Sequence, residues 1–460
     1  MGTETWTSQA GRQVAGLRVS SSFRASAGNS AFSIVEYLAQ PVAMLLAAPF
    51  LVHHLGPQQY GVWMLASAIL GSVGILSTGF GDATVKYVSR YRARADGAGV
   101  ERTIRATLTI NAGLAIIFAG LIWMLAHFAV HRIFKVEPAL QAASVRALKI
   151  SAIILVLRSS ESVFVSTLRA FERYGPPAKL NVFLRSMVVL SAVAVVAMGR
   201  GVVEIMTATL VWSAIVMVLQ AVSARKVAGP FYPMPTLQFR ALREVFHFGC
   251  FSWLQALAGV TFSYADRFIL GALLGTAPVA VYVICVQAAQ PIHGLTAAGF
   301  NFLFPHLSSR HEAGEVHGPR RVLRLALTTN VVVAAMLSLP FILFARPILR
   351  VWMGAQFAGE AHLALAILAV SYAALAMNVV AHNSLLALGR VRTVAALNIA
   401  GGLVLLAMMA ILIPRSGIAG AATGRAIYTA LLAAGYLIAC REAFLPKMAL
   451  PHAEVASDLR

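Results

Sequence analysis

Five cations stand inside segments otherwise too apolar to hold them: Lys149, Arg158, Arg185, Arg267 and Arg425. The acids at comparable depth are chiefly Glu36, Glu161 and Asp266. Charged side chains are rare in hydrocarbon, where they turn to a bundle interior or a water-filled cavity. A surplus of cations there suits an anionic ligand, and the fork of a guanidinium matches phosphate with two parallel hydrogen bonds. Arg158 and Glu161 are three apart, close enough to pair within one helix. Lys149 lies near a span end and could instead reach the interface along its stem.

The first apolar segment carries Ser26, Asn29, Ser33, Glu36 and Gln40 at spacings of 3, 4, 3 and 4, which places all five on one helical face. Lipid cannot satisfy that stripe, so it faces protein or a cavity. Glu36 is the lone acid of the stripe, with Pro41 just beyond it to loosen the backbone hydrogen bonding. It is therefore a candidate for ion coupling, together with Glu161 and Asp266. Ser252, Gln255, Gly259, Ser263 and Asp266 form a second stripe of the same kind. Asn378 and His382, four apart, could meet a sugar hydroxyl, although a packed core histidine is the simpler account of His382. The candidate substrate-binding set is thus Lys149, Arg158, Arg185, Arg267, Arg425, Asn29, Ser33, Gln40, Gln255, Asn378 and His382.

The remaining histidines show no metal-ligand spacing with acids or cysteines, and Cys250, Cys285 and Cys440 form no CxxC pair. No P-loop, GxSxG, HExxH or dinucleotide fingerprint sits in a strand-to-helix context. The expectation is a protein with no cofactor, no metal and no enzymatic activity.

What must position these residues follows from composition. Only 12% of the 460 residues are charged, against about 25% in a soluble domain, and 59% are hydrophobic. The net charge of +20 does not point to nucleic acid, because the basic residues lie between apolar runs of membrane-spanning length. Such runs, about 20 residues each, predict helices near 29–52, 60–82, 106–130, 145–168, 180–198 and 204–223. A second set is predicted near 248–269, 277–301, 325–346, 361–387, 395–413 and 419–440.

With the N-terminus inside, 25 of the 37 Lys and Arg fall in inner segments, 7 in outer segments and 5 within spans. That bias predicts both termini in the cytoplasm. Residues 1–28 are polar and lack the apolar core of a signal peptide. The stretch GFGDATVKYVSRYRARADG at 79–97 ends a span in a burst of basic residues. Those residues act as a topological signal and as a contact for anionic headgroups. Asp82 and Lys86, four apart within it, are candidates for an inner-gate pair.

Displacing the sequence by 219 residues brings Leu51, Leu55 and Gly56 onto Leu270, Leu274 and Gly275, Trp63 onto Tyr282, Ser33 onto Ser252 and Glu36 onto Gln255. The expected fold is an all-α polytopic membrane protein of about twelve transmembrane helices in two pseudo-symmetric six-helix bundles. The expected division is 1–28 as a cytoplasmic segment, 29–223 as the first bundle, 224–247 as a linker, 248–440 as the second bundle and 441–460 as a tail. Halves of like orientation place a site at their interface.

Four stretches carry a family resemblance: LGPQQYGVW at 55–63, the segment 79–97, YADRFILGALLGTAPVAVY at 264–282 and FLFPHLSSR at 302–310. In this order they resemble the Wzx-type flippases of the multidrug/oligosaccharidyl-lipid/polysaccharide (MOP) exporter superfamily, over roughly 29–440. The resemblance implies a MATE-like fold, a basic central cavity and alternating access between the two faces of the bacterial inner membrane. It implies a polyprenyl-pyrophosphate-linked oligosaccharide as cargo, an ion gradient as the driving force, and a polysaccharide polymerase and chain-length regulator as protein partners. Gln255 departs from Glu36 at the matched position, so a titrating role is not duplicated. Two alternatives remain: a multidrug antiporter of the same superfamily, which would favour acids over arginine in its cavity, and a membrane glycosyltransferase or polymerase, for which the outer loops are short.

Overall fold

The computed structural model describes residues 41–444 except 72, 230–235, 237 and 301–316, and leaves aside the side chains of 73–79, 251–263, 317–322, 391 and 442–444. Asn29, Ser33, Glu36 and Gln40 therefore lie outside the described residues. Gln255 is placed on its helix without its side chain.

Among the described residues the secondary structure is helical throughout. The first helical run, α1, covers 41–71 and changes direction at Gly56, whose φ is 77°. It continues as α2 (Val73–Ala93), then α3 (Gly97–Phe128), α4 (Pro138–Ala170), α5 (Gly175–Ala197) and α6 (Val202–Ala228). The second half holds α7 (Phe239–Leu274), α8 (Thr276–Phe300), α9 (His317–Leu343), the short α10 (Ala345–Met353), α11 (Ala355–Ala387) and α12 (Val391–Phe444).

Sequence sets several of these limits directly. Asp96 caps α3 by accepting from the Gly99 amide at 2.8 Å, and Glu204 reaches back to the Gly201 amide at 3.0 Å to cap α6. Pro138 opens α4 at a position where its missing N–H is not needed. Eight described helices are long and apolar enough to cross a membrane. The last, Arg392–Arg441, has 50 residues, about 75 Å at 1.5 Å per residue and more than twice a bilayer core. It holds two arms, because Gly417 inside it has φ 58° and ψ −131°. The two spans expected at 395–413 and 419–440 fall on either side of that turn.

The internal repeat is visible in the backbone. Left-handed residues recur as Gly56 and Gly275, Lys135 and Gly354, Glu172 and Gly389, and Gly199 and Gly417, at separations of 217 to 219 residues. Within each half one 33-residue helix is the hub. α4 packs on α2, α3 and α6, while α11 packs on α8, α9, α10 and α12. Each hub follows the second of the recurring left-handed residues of its half, Lys135 and Gly354.

The halves meet where the chain folds back on itself in antiparallel fashion. Gly61 lies against the Thr276 backbone, Gly71 against Tyr264, and Phe80 against Gly249. A Cβ on Gly61 would run into the Thr276 carbonyl, so this approach requires glycine. The Tyr60 hydroxyl donates to Gln287 at 3.5 Å, and Trp352 of α10 donates to the Leu45 carbonyl at 3.0 Å. Outward from this core, Ile116, Ile117, Leu121, Trp123 and Met124 of α3 are exposed, as suits a helix solvated by hydrocarbon.

The structure adds one element that is too short to span a membrane. Residues 345–353 form α10, with Ala345 and Leu349 buried and Arg346 and Arg350 exposed. Nine residues cannot cross a membrane, and the two-faced pattern belongs to a helix lying at an interface. Helix 4 also runs further than expected, to Ala170, which takes Arg169 out of the loop to which the sequence had assigned it.

Candidate functional site

The extended α4 carries a stripe of Arg158, Glu161, Ser162, Val165, Ser166 and Arg169, whose spacing of three and four puts them on one face. That face lines a cavity of about 420 Å³ closed by Gly81, Asp82 and Val85 of α2, Asn181 and Arg185 of α5, Leu70 and Gly71 of α1, and Tyr264 of α7. Four residues singled out in the sequence, Asp82, Arg158, Glu161 and Arg185, thus share one chamber. Arg158 donates to the buried Glu161 carboxylate at 2.7 Å, the internal pair that their spacing allowed. No described carboxylate lies within 4 Å of Arg169 or Arg185. The chamber thus has two guanidinium groups without a carboxylate partner among the described residues, with Asp82 lining the same space.

The far end of α4 is held by the basic segment. Ser89 and Arg92 both donate to the Ala170 carbonyl, at 3.2 and 3.1 Å, where the helix leaves its last carbonyls unsatisfied. Arg92 also meets Glu172 at 3.4 Å. Part of the charge at 79–97 thus anchors the hub helix. Asp82 and Lys86 do not meet. Lys86 turns instead to the faces of Phe248 and Tyr87, with its Nζ 3.8 and 5.5 Å from the ring centroids, while Asp82 faces the chamber. Cation–π contact with the second half competes successfully for the lysine.

The second half has its own charged centre, and it is closed. Asp266 accepts from Arg425 Nη1 at 2.7 Å and from the Tyr282 hydroxyl at 3.0 Å, with its side chain only 1% exposed. The Arg425 guanidinium stacks over Tyr372 at 4.9 Å and Arg267 over Tyr264 at 5.1 Å. The Nε groups of Arg267 and Arg425 and the Asn378 amide nitrogen are buried without a partner among the described residues. Tyr264 links this centre to the first chamber, since it lines the cavity and stacks with Arg267.

Two candidates have nearer partners of their own. Lys149 lies 5.0 Å from the Trp123 ring on the lipid-facing side, in line with the interfacial alternative. His382 bonds the Tyr436 hydroxyl at 3.0 Å, and Tyr436 in turn donates to Asn398 at 3.0 Å, which makes it a packed and satisfied histidine. Sequence reasoning missed Arg169, Asn181 and Tyr264. Arg169 was within reach, since it continues the three-four spacing from Arg158. Asn181 and Tyr264 come from other helices and carry no local signal.

A family model described as "Polysaccharide biosynthesis protein" matches residues 50–362. The chain belongs to that family. Over 411 residues it is 20% identical to a Shigella flexneri protein named "Putative O-antigen transporter", covering 88% of this chain and 96% of the relative. Its fold is similar to the inward-facing conformation of a multidrug resistance MATE family transporter of the MOP superfamily, with TM-score 0.73 at 16% identity over 89% of this chain and 98% of that one. It is equally similar, with TM-score 0.73 at 12% identity over 90% and 88%, to the lipid II flippase MurJ in an inward closed conformation. The polysaccharide-export family resemblance read from the four sequence stretches agrees with this family match, and the MATE-like fold it implied is the fold found. This family member is a multi-pass membrane protein with the fold of those solved transporters.

Proposed function

We propose that the protein is a flippase that carries a polyprenyl-pyrophosphate-linked oligosaccharide from the inner to the outer leaflet of the bacterial inner membrane by alternating access, with both termini cytoplasmic. The observation that carries this reading is the chamber between α2, α4 and α5, where Arg158, Arg169 and Arg185 converge on one space. Moving a diphosphate and its sugars unaided through hydrocarbon means stripping charged oxygens of water. Guanidinium groups held at membrane depth replace that hydration and so lower the barrier. A multidrug antiporter for cations would set acids where this chamber has arginines.

Glu161 and Asp266 are each tied to an arginine, which leaves Glu36 as the proposed coupling group. The boundaries at 29–223 and 248–440 are proposed as the two bundles that rock about the site, an arrangement that the recurring left-handed residues support. A polysaccharide polymerase and a chain-length regulator are the proposed protein partners.

The test is translocation of a lipid-linked glycan in proteoliposomes. Arg158→Ala combined with Arg185→Ala should slow it about 10-fold or more, since a hydrogen bond to a charged group contributes about 1.5–3 kcal/mol. Arg185→Ala alone, which strands no carboxylate, should slow translocation in the same direction with insertion unchanged. Wild-type translocation by the double variant would overturn the reading.

A further inference from the structure

A second and larger cavity, about 990 Å³, opens between the α2–α3 hairpin and the start of α7. At about 100° per residue, Tyr87, Arg90 and Tyr91 fall on the face of α2 opposite Gly81, Asp82 and Val85. This cavity is therefore separate from the arginine chamber, and it sits on the seam between the halves. Its size reaches the upper end of the range of about 300–1,000 Å³ that holds a drug-sized ligand.

Its lining is cationic from both sides. Arg90 and Arg102 come from the first half, and Arg240 and Arg243 from the first turns of α7. The carboxylate facing them is Glu244, which accepts from the Tyr91 hydroxyl at 3.3 Å and lies 3.9 Å from Arg90. Arg102 has an exposed, loose contact with Asp96 at 3.7 Å. No described carboxylate lies within 4 Å of Arg240 or Arg243. The first turn of α7 also lines the cavity through Gln238, Phe239 and Ala241, adding the positive end of a helix dipole. Phe239 is 76% exposed at the rim, an apolar foothold beside a charged hole.

We infer that this cavity binds the anionic phosphate of a lipid headgroup and that the bound phosphate ties the α2–α3 hairpin to α7. Four guanidinium groups around one space repel each other when nothing lies between them. A phosphate between them would accept from arginines of both halves and replace repulsion with bridging hydrogen bonds. The exposed aromatic at the rim suits an attached acyl or prenyl chain better than a free ion. Two membrane components present that group: an anionic phospholipid, and the diphosphate of the cargo lipid. The second source rests on the proposed flippase function; the first does not.

The test uses full-length protein in discs of zwitterionic lipid, with fluorescent phosphatidylglycerol or sugar-free polyprenyl diphosphate as the probe. Wild-type binding of at least one probe should weaken steeply as salt rises. It should also weaken about 10-fold or more in Arg240→Ala/Arg243→Ala, whose two side chains are exposed and outside the arginine chamber. The probe that responds identifies the source. Arg158→Ala/Arg185→Ala should leave phosphatidylglycerol binding unchanged, so a failed flippase reading would not mimic a failed headgroup site. The inference is overturned if both probes bind the Arg240/Arg243 variant as tightly as wild type, or if wild-type binding is indifferent to salt.

Discussion

Two ion pairs of similar length have different meanings because their surroundings differ. Both Arg158–Glu161 and Arg425–Asp266 are 2.7 Å long. Arg158 keeps 32% of its side-chain surface open to the chamber, whereas Arg425 keeps 11% and is enclosed by Tyr372 and Tyr282. Removing one partner of an enclosed pair strands the other charge, at a cost of about 3–5 kcal/mol. Asp266→Asn should therefore lower thermal stability sharply, and adding Arg425→Gln should restore much of it. Thermal unfolding in detergent reads both variants. If the double variant is no more stable than the single, the pair is not the source of the cost. Arg185, by contrast, has no described carboxylate within 4 Å and should affect transport more than stability.

At the scale of elements, helix contacts here depend on what is missing at Gly61 and Gly71. The α1 arm approaches Thr276 and Tyr264 so closely that a methyl group at either position meets a neighbour. Lipid offers no hydrophobic drive for helices to associate, so close backbone packing of small residues supplies it. Gly61→Ala should weaken the seam by about 1–3 kcal/mol, the usual cost of overpacking. Gly120→Ala on α3, where an added Cβ meets nothing within 4 Å, should be nearly neutral. Equal thermal stabilities of the two variants would contradict the assigned packing.

For the whole molecule, the contacts between halves make a mechanical prediction. Tyr60 and Gln287 meet across the halves at one end, beside Gly61 and Thr276. If alternating access opens that end, linking the two positions must stop transport. The three native cysteines, Cys250, Cys285 and Cys440, are free and would first be replaced. Tyr60→Cys with Gln287→Cys, bridged by a short cleavable thiol reagent, should lose nearly all translocation and regain it on cleavage. Transport by the bridged protein at the unbridged rate would exclude an opening there.

The sequence by itself determined the class of molecule and its repeat. Scarcity of charge and spans of about 20 residues leave a membrane helical bundle as the architecture, because no other use of such a chain satisfies its backbone in lipid. The displacement of 219 residues reappears in the backbone as paired left-handed positions such as Gly56 with Gly275, since a turn that needs positive φ constrains its residue locally. The pairing of Arg158 with Glu161 was also legible, being set by one helix turn. What only the tertiary structure decided is which distant charges share a space. Arg185, Asp82 and Arg158 sit on three helices, and no periodicity in one helix reports its rotation against another. The same holds for Asp266 finding Arg425, for Lys86 choosing Phe248 over Asp82, and for the four arginines that α2–α3 and α7 bring around one cavity. Local spacing fixes the face on which a residue lies, and only packing fixes what that face meets.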